Sequence, residues 1–219
     1  MRIDIVFDTV CPWCFVGKRR FDRALKMRPS LRADVRFRSF LLNPDLPPQG
    51  VDQREYLERK FGGAHQFDRI AETLIMTGRS EGIDFALDRI RRTPNSANSH
   101  RLVRLSQAAN KQEEAVDLLF TSYFEHGADI GDDEVLIDLA MQLGIPRADA
   151  EDHFYGDTDL NAVYTENARM HRLGITGVPC YIFNESRAIA GAQEPEILLR
   201  MLDMALAQEA ERPTMQSTG

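Results

Sequence analysis

Hydrophobic and polar positions change their period several times along the chain. Ile3, Ile5, Val6 and Phe7 form a short apolar run that reads as a strand. From Cys14 the spacing becomes helical, with Cys14, Gly17, Phe21, Ala24, Leu25 and Arg28 recurring at steps of three, four and seven. Arg19, Arg20, Arg23 and Lys26 lie away from the Phe21/Leu25 face, and Pro29 closes the segment. Val35, Phe37 and Ser39 then alternate with arginines between Asp34 and Phe40, a strand pattern. The opening is therefore β-α-β, with a connection long enough for a parallel crossover. Asn43-Pro44 and Pro47-Pro48-Gln49-Gly50 make a turn-rich exit, which places a boundary near residue 50.

From Asp52 to Leu173 the pattern is helical almost throughout, with stretches expected at about 53–61, 64–80, 96–109, 111–126, 132–143, 147–154 and 159–173. Asp52-x-x-Glu55 is a capping-box pattern, and Gly82, Gly127, Gly144 with Pro146, and Gly174 are stop signals. Leu102, Leu105, Ala109, Val116, Leu119, Phe120 and Tyr123 form stripes that face a core. Strand patterning returns at Cys180-Tyr181-Ile182-Phe183, followed by turn residues Asn184-Glu185-Ser186 and a return strand from Arg187 to Ala190. Pro195 opens a last helix whose inner stripe is Ile197, Leu198, Met201, Leu202 and Ala205. Without the helical block, the order is β-α-β-β-α, the thioredoxin arrangement. The expected fold is α/β: a thioredoxin fold (1–50 and 174–210) interrupted by an all-helical insertion (51–173), with a disordered tail at 211–219.

Composition narrows the functional classes. A chain of 219 residues, 43% hydrophobic and 28% charged, can bury a good core without disulfide staples. The net charge of −7 and the shortness of the basic runs at Lys18–Arg20 and Arg89–Arg92 argue against nucleic acid; both runs are expected on solvated helix faces and surface turns. No window approaches the roughly 18 apolar residues of a membrane helix. Met1-Arg2 leads straight into the first strand without a signal-like apolar region, so the expected compartment is the cytoplasm.

Chemistry concentrates at Cys11-Pro12-Trp13-Cys14, where the first strand gives way to the first helix. A thiol at a helix N-terminus meets unpaired N–H groups and the positive end of the dipole. In such motifs the first cysteine's pKa falls from about 8.5 to roughly 3.5–7.5. The second cysteine, one turn on, can close a disulfide with it. Structural zinc would need four ligands, yet one other cysteine, Cys180, and five scattered histidines are all the chain offers. In a reducing compartment such a pair reads as redox chemistry.

Several segments together carry a family resemblance: Asp8 to Arg20 around the cysteines, Phe40-Leu41-Leu42-Asn43-Pro44, Thr93-Pro94-Asn95-Ser96 with His100-Arg101-Leu102, Gly174 to Pro179, and Gly191-Ala192-Gln193. They resemble the DsbA-like branch of the thioredoxin superfamily, in particular FrnE-type oxidoreductases related to 2-hydroxychromene-2-carboxylate isomerase. The resemblance implies thiol–disulfide exchange with a protein or small thiol. Cys11 would attack and Cys14 resolve, while Pro12 and Trp13 tune the redox balance. It implies a cis proline at Pro179 facing the cysteines and a Val178 backbone open to substrate. No metal or other cofactor is implied, glutathione enters as redox partner or co-substrate, no nucleic acid or membrane is expected, and a homodimer is left open.

Two other readings compete. Asn95 and His100 fall where the isomerase relatives bind glutathione and substrate, which suggests a glutathione-dependent isomerase or transferase. Retention of both cysteines weighs against it. In the plainer reading Asn95 or Ser96 caps a helix and His100 lines it. A chaperone-like binding protein is the third class. Cys180 departs from the family pattern and is expected to be a packing residue.

Overall fold

The computed structural model describes residues 1–211; residues 212–219, and with them nearly all of the expected tail, lie outside the described residues. The chain opens with β1 (Arg2–Phe7), α1 (Pro12–Lys26) and β2 (Asp34–Ser39). A long helical segment follows: β3 (Val51–Asp52), α2 (Gln53–Phe61), α3 (Ala64–Ser80), β4 (Arg92–Thr93), α4 (Ala97–Leu105), α5 (Gln112–Phe120), α6 (Asp133–Gln142), α7 (Arg147–Tyr155) and α8 (Leu160–Arg172). It closes with β5 (Cys180–Phe183), β6 (Arg187–Ala190) and α9 (Pro195–Glu211). The main sheet has the order β2-β1-β5-β6, with β1 parallel to β2 and the other pairs antiparallel. This is the expected α/β thioredoxin fold with its large helical segment between β2 and β5.

Local chemistry explains the boundaries. Asp52 accepts a hydrogen bond from Glu55 N, capping α2. Gly82, Gly127, Gly144 and Gly174 all have positive φ at the ends of helices or turns, a conformation open to glycine without steric penalty. Asn184 and Glu185, also at positive φ, make the tight turn between β5 and β6. The paired strands β3 and β4 were not expected: Val51 faces Thr93 and Asp52 faces Arg92, and a two-residue ladder is too short to leave a period in the sequence.

Alternation along the sheet divides its two faces. Ile3, Ile5, Phe7, Phe37, Tyr181 and Phe183 join the core beneath α1 and α9. That core continues into the helical segment through aromatic contacts, Phe15 stacking on Phe120 at 5.1 Å and meeting Phe85 edge-on. On the opposite face, Val6 and Cys180 pack with Phe40, Met170 and Ile175. Asp4 there binds Arg38, which also binds Glu166 of α8.

Two expectations need correction. Ala109 is exposed, because the chain tightens after α4 into a 3-10 turn (Ser106–Ala109) that rotates it off the stripe. Nor is Lys18 on a solvated face: it is 3% exposed, with Nζ 2.8 Å from Asp22, 3.1 Å from Asp117 and 3.2 Å from Glu113. Burial alone would lower its pKa, but the three carboxylates outweigh that and raise it. Arg20 is similarly enclosed, bound to Glu81, Glu194 and the Ala192 carbonyl. The periodicity of α1 could not reveal the acids that α5 and the later loops bring against its polar face. Among the described residues, no helix is long and apolar enough to cross a membrane.

Replacing Lys18 with methionine would leave three carboxylates facing one another around an apolar side chain. We expect a loss of roughly 2–3 kcal/mol in urea unfolding at pH 7, below the 3–5 kcal/mol of a fully buried broken pair because solvent reaches the acids. A change under 0.5 kcal/mol would return Lys18 to the status of a surface charge.

Candidate active site

β1 ends at Phe7, and the next two residues, Asp8 and Thr9, are wholly buried. The chain then turns so that Cys11 stands at the N-cap of α1 (φ −95°, ψ 109°) with Pro12 in the first helical position, where its missing N–H breaks no helical bond. Cys11 N donates to Asp8 O at 3.1 Å and Cys14 N to Cys11 O at 2.9 Å, which sets the two thiols one turn apart. Both are free, and both are buried, at 5% and 2% exposure. Pro12 is half-buried, and Trp13 between the cysteines is exposed.

The loop before β5 closes over this turn. The Val178–Pro179 peptide is cis, and the Cys11 thiol lies 3.8 Å from the Val178 carbonyl oxygen. Gly17 makes the approach possible: a Cβ there would fall 2.5 Å from Tyr181 Oη and 2.9 Å from Pro179 Cγ. Tyr181 stacks on Phe21, and its buried hydroxyl has no hydrogen-bond partner. Burial pushes that hydroxyl's pKa well up.

The two cysteines are not equivalent. Burial, and then the neighbouring Cys11 thiol, raise Cys14 well above the ordinary thiol range. Cys11 lines a cavity of about 350 Å³, and Cys14 does not. The cavity lies between the cysteine turn, the Leu42–Asn43 loop and the α2–α3 hairpin, with Val178 on its wall. A thiol reachable from a cavity, with a second one shielded behind it, can form a mixed disulfide and then resolve it.

Asn95 and His100 sit elsewhere, and neither lines the cavity. Asn95 Oδ1 accepts from Ala97 N and its amide donates to Leu46 O at 2.9 Å, tying the loop after β2 to the start of α4. Ser96 occupies the N-cap position without a side-chain cap. His100 is fully buried, packed edge-on against Phe7, with Nε2 3.5 Å from Asp8 Oδ1. Asp8 also receives Leu42 N at 2.6 Å and Val10 N at 3.3 Å. Cys180 lies on the far face of the sheet, in the apolar cluster with Val6.

Sequence reasoning gave no role to Asp8, nor to Tyr56, Lys60 and the apolar residues of α2 and α3 that wall the cavity. For Asp8 a signal existed: an acid that directly continues an apolar strand is a candidate buried anchor. For α2 and α3 there was none, since an apolar stripe looks the same whether it faces a core or a cavity.

Residues 2–203 match the family profile of the DSBA-like thioredoxin domain. Among solved structures, the probable DsbA oxidoreductase of Streptomyces coelicolor superposes with a TM-score of 0.88 and 26% identity, over 99% of this chain and 93% of that one. A 2-hydroxychromene-2-carboxylate isomerase gives a TM-score of 0.69 at 14% identity, over 99% of this chain and 100% of its own. The cytosolic disulfide reductase DsbM of Pseudomonas aeruginosa, solved with GSH, gives 0.68 at 20% identity, over 94% and 100%. The last two likenesses establish a shared fold.

Two outcomes follow from the site's packing. The raised pKa of Cys14 means that the folded, reduced protein holds this proton more tightly than the unfolded chain. That contribution to stability is complete below about pH 8.5, the ordinary thiol value, and is lost as pH rises beyond it. A Cys11–Cys14 disulfide removes it. Between pH 8 and pH 10 the Tm of the reduced protein should therefore fall further than that of the oxidised one, and parallel declines would contradict a raised Cys14. Separately, Gly17→Ala should destabilise by about 1–3 kcal/mol through overpacking, although alanine is the better helix former by roughly 1 kcal/mol. A more stable variant in urea unfolding would refute the close approach of Tyr181.

Proposed function

The chain belongs to the DSBA-like thioredoxin domain family, and from that premise we propose that it is a thiol–disulfide oxidoreductase acting through Cys11 and Cys14. The observation that carries this reading is the asymmetry of the pair: Cys11 at the helix N-cap beside the cavity and the Val178 carbonyl, Cys14 sealed behind it. Cys11 thiolate attacks a substrate disulfide and releases one thiol. Cys14 then gives up its proton, attacks Cys11 Sγ and releases the second thiol, leaving the protein oxidised; the reverse sequence donates the disulfide. Pro12 and Trp13 shape the relative stability of the two states from between the sulfurs. The Val178 carbonyl, beside Cys11 Sγ, is a backbone acceptor that a substrate can use once the thiol lets go of it. A cytoplasmic setting, where reductants keep both thiols reduced, suits this chemistry.

The glutathione-dependent isomerase reading draws no comparable support. Asn95 is occupied in holding two loops together, and His100 is enclosed beside Asp8.

Brief iodoacetamide labelling of the reduced native protein, read by peptide mass spectrometry, should modify Cys11 before Cys14. Cys11→Ser should abolish reduction of insulin disulfides, whereas Cys14→Ser should accumulate mixed disulfides. Faster labelling of Cys14, or insulin reduction retained by Cys11→Ser, would overturn the assignment. Calorimetry of Cys11→Ser with reduced glutathione should show millimolar binding or none. Saturable micromolar binding, about −8 kcal/mol, would favour the isomerase reading instead.

A further inference from the structure

We propose that the cavity beside Cys11 is a specificity pocket for small disulfides whose halves each have a compact apolar body and one anionic group, and that polypeptide and glutathione disulfides are its poor substrates. The proposal rests on the reading of Cys11 and Cys14 as the reacting pair and names what that pair works on.

The cavity's volume of about 350 Å³ is within the range of small-molecule sites. Phe61, Phe67, Ile70, Leu74, Leu87 and Phe124 give it an apolar wall. The roof helices confirm which way that wall faces. Among described residues, α2 buries one side chain, Gln53, while α3 buries Leu74 and Gly78. Leu57, Phe61, Phe67, Ile70 and Ala71 of these helices line the cavity, with Phe61 38% exposed, whereas Ile75 packs against the core.

One charged residue stands among those that line the space, Lys60. Its exposed ammonium donates to Asn43 Oδ1 at 2.8 Å and to Tyr56 Oη at 3.3 Å. No carboxylate of the described residues pairs with it; Lys18 and Lys111 have acidic partners, and Lys26, which has none, lies away from the cavity. An anionic group on a ligand would complete it. Of the deeper polar groups, Tyr123 Oη donates to Gln53 Oε1, while the buried Thr93 hydroxyl on the same wall has no partner. One free hydroxyl and the Val178 carbonyl are too few partners to replace the hydration of a longer peptide backbone, or of the amides and several charges of glutathione.

The chemistry is that of a dithiol reducing R–S–S–R. Cys11 thiolate forms Cys11–S–S–R as the substrate S–S bond breaks, and the departing thiolate takes a proton from solvent. Cys14, after losing its own proton, forms the Cys11–Cys14 bond and releases the second R–S⁻, which is also protonated. Two electrons pass from the protein to the substrate. A dithiol reductant restores the protein for the next cycle.

The test is single-turnover kinetics of the reduced full chain with four probes: dithiobis(nitrobenzoate), dithiodipyridine, bis(hydroxyethyl) disulfide and oxidised glutathione. Each rate is divided by the rate of free dithiothreitol with the same probe, which removes intrinsic reactivity. The normalised rate with the nitrobenzoate disulfide should exceed those with the hydroxyethyl and glutathione disulfides by about tenfold or more, the scale of burying one ring. Lys60→Gln should reduce the nitrobenzoate-to-dithiopyridine ratio about three- to fivefold, as expected for one solvent-reached ion pair. Ile70→Asn should slow both aromatic probes. Equal normalised rates for all four, or a ratio unmoved by Lys60→Gln, would overturn the pocket's role while leaving the oxidoreductase reading intact. If the wild type reacted with none of the four, both would fall. Normalised exchange faster with insulin than with the nitrobenzoate disulfide would make a polypeptide the occupant and overturn the proposal.

Discussion

The Asp8 carboxylate is the point at which the three parts of the molecule are fastened together. It is fully buried at the end of β1, immediately before the cysteine turn. One oxygen takes Leu42 N from the loop after β2; the other takes Val10 N and faces His100 of α4. Beside it, Thr9 Oγ1 lies 2.6 Å from Ser99 Oγ, a second polar tie to the same helix. A carboxylate taken out of water survives only if its oxygens are satisfied, so the need to satisfy Asp8 fixes where the loop must sit, and the Thr9–Ser99 contact places α4 beside it. The cavity's position depends on that placement, since Leu42 and Asn43 form part of its edge.

This anchoring makes the helical segment part of the site. Phe15 and Phe120 join the cysteine helix to α5 through one stacked contact, while the α2–α3 hairpin faces Cys11 across open space. Firm packing on one side and a cavity on the other give the two thiols different surroundings even though they are one helical turn apart. The difference between their surroundings comes from the tertiary structure around the motif as much as from the motif itself.

How much of this was legible in the sequence varied with the range of the interaction. Helix and strand positions followed from periodicity and from local stop signals such as Gly127, Gly144 and Gly174, because those effects act within a few residues. The turn at Asn184–Glu185 was legible for the same reason. Lys18 was misplaced because its partners Glu113 and Asp117 lie about a hundred positions away along the chain, and no local pattern encodes their arrival. The cysteines announced themselves by spacing, but the wall of the cavity did not, since Phe67 and Ile70 look like ordinary core residues. Asn95 and His100 drew attention as polar residues in a family segment. Asn95 instead has an internal partner, a loop carbonyl, and His100 is enclosed 3.5 Å from Asp8 with no hydrogen bond from either ring nitrogen.

Trp13 is the chain's single tryptophan, and it is 37% exposed between the two cysteines. Indole fluorescence from this protein therefore originates at the cysteine turn and nowhere else. Thiolates and disulfides quench a nearby indole to different degrees, and a ligand in the adjoining cavity would alter its hydration. The single indole thus reports optically on the thiol state of Cys11 and Cys14 and on the filling of the adjoining cavity, with no competing emission from a second tryptophan.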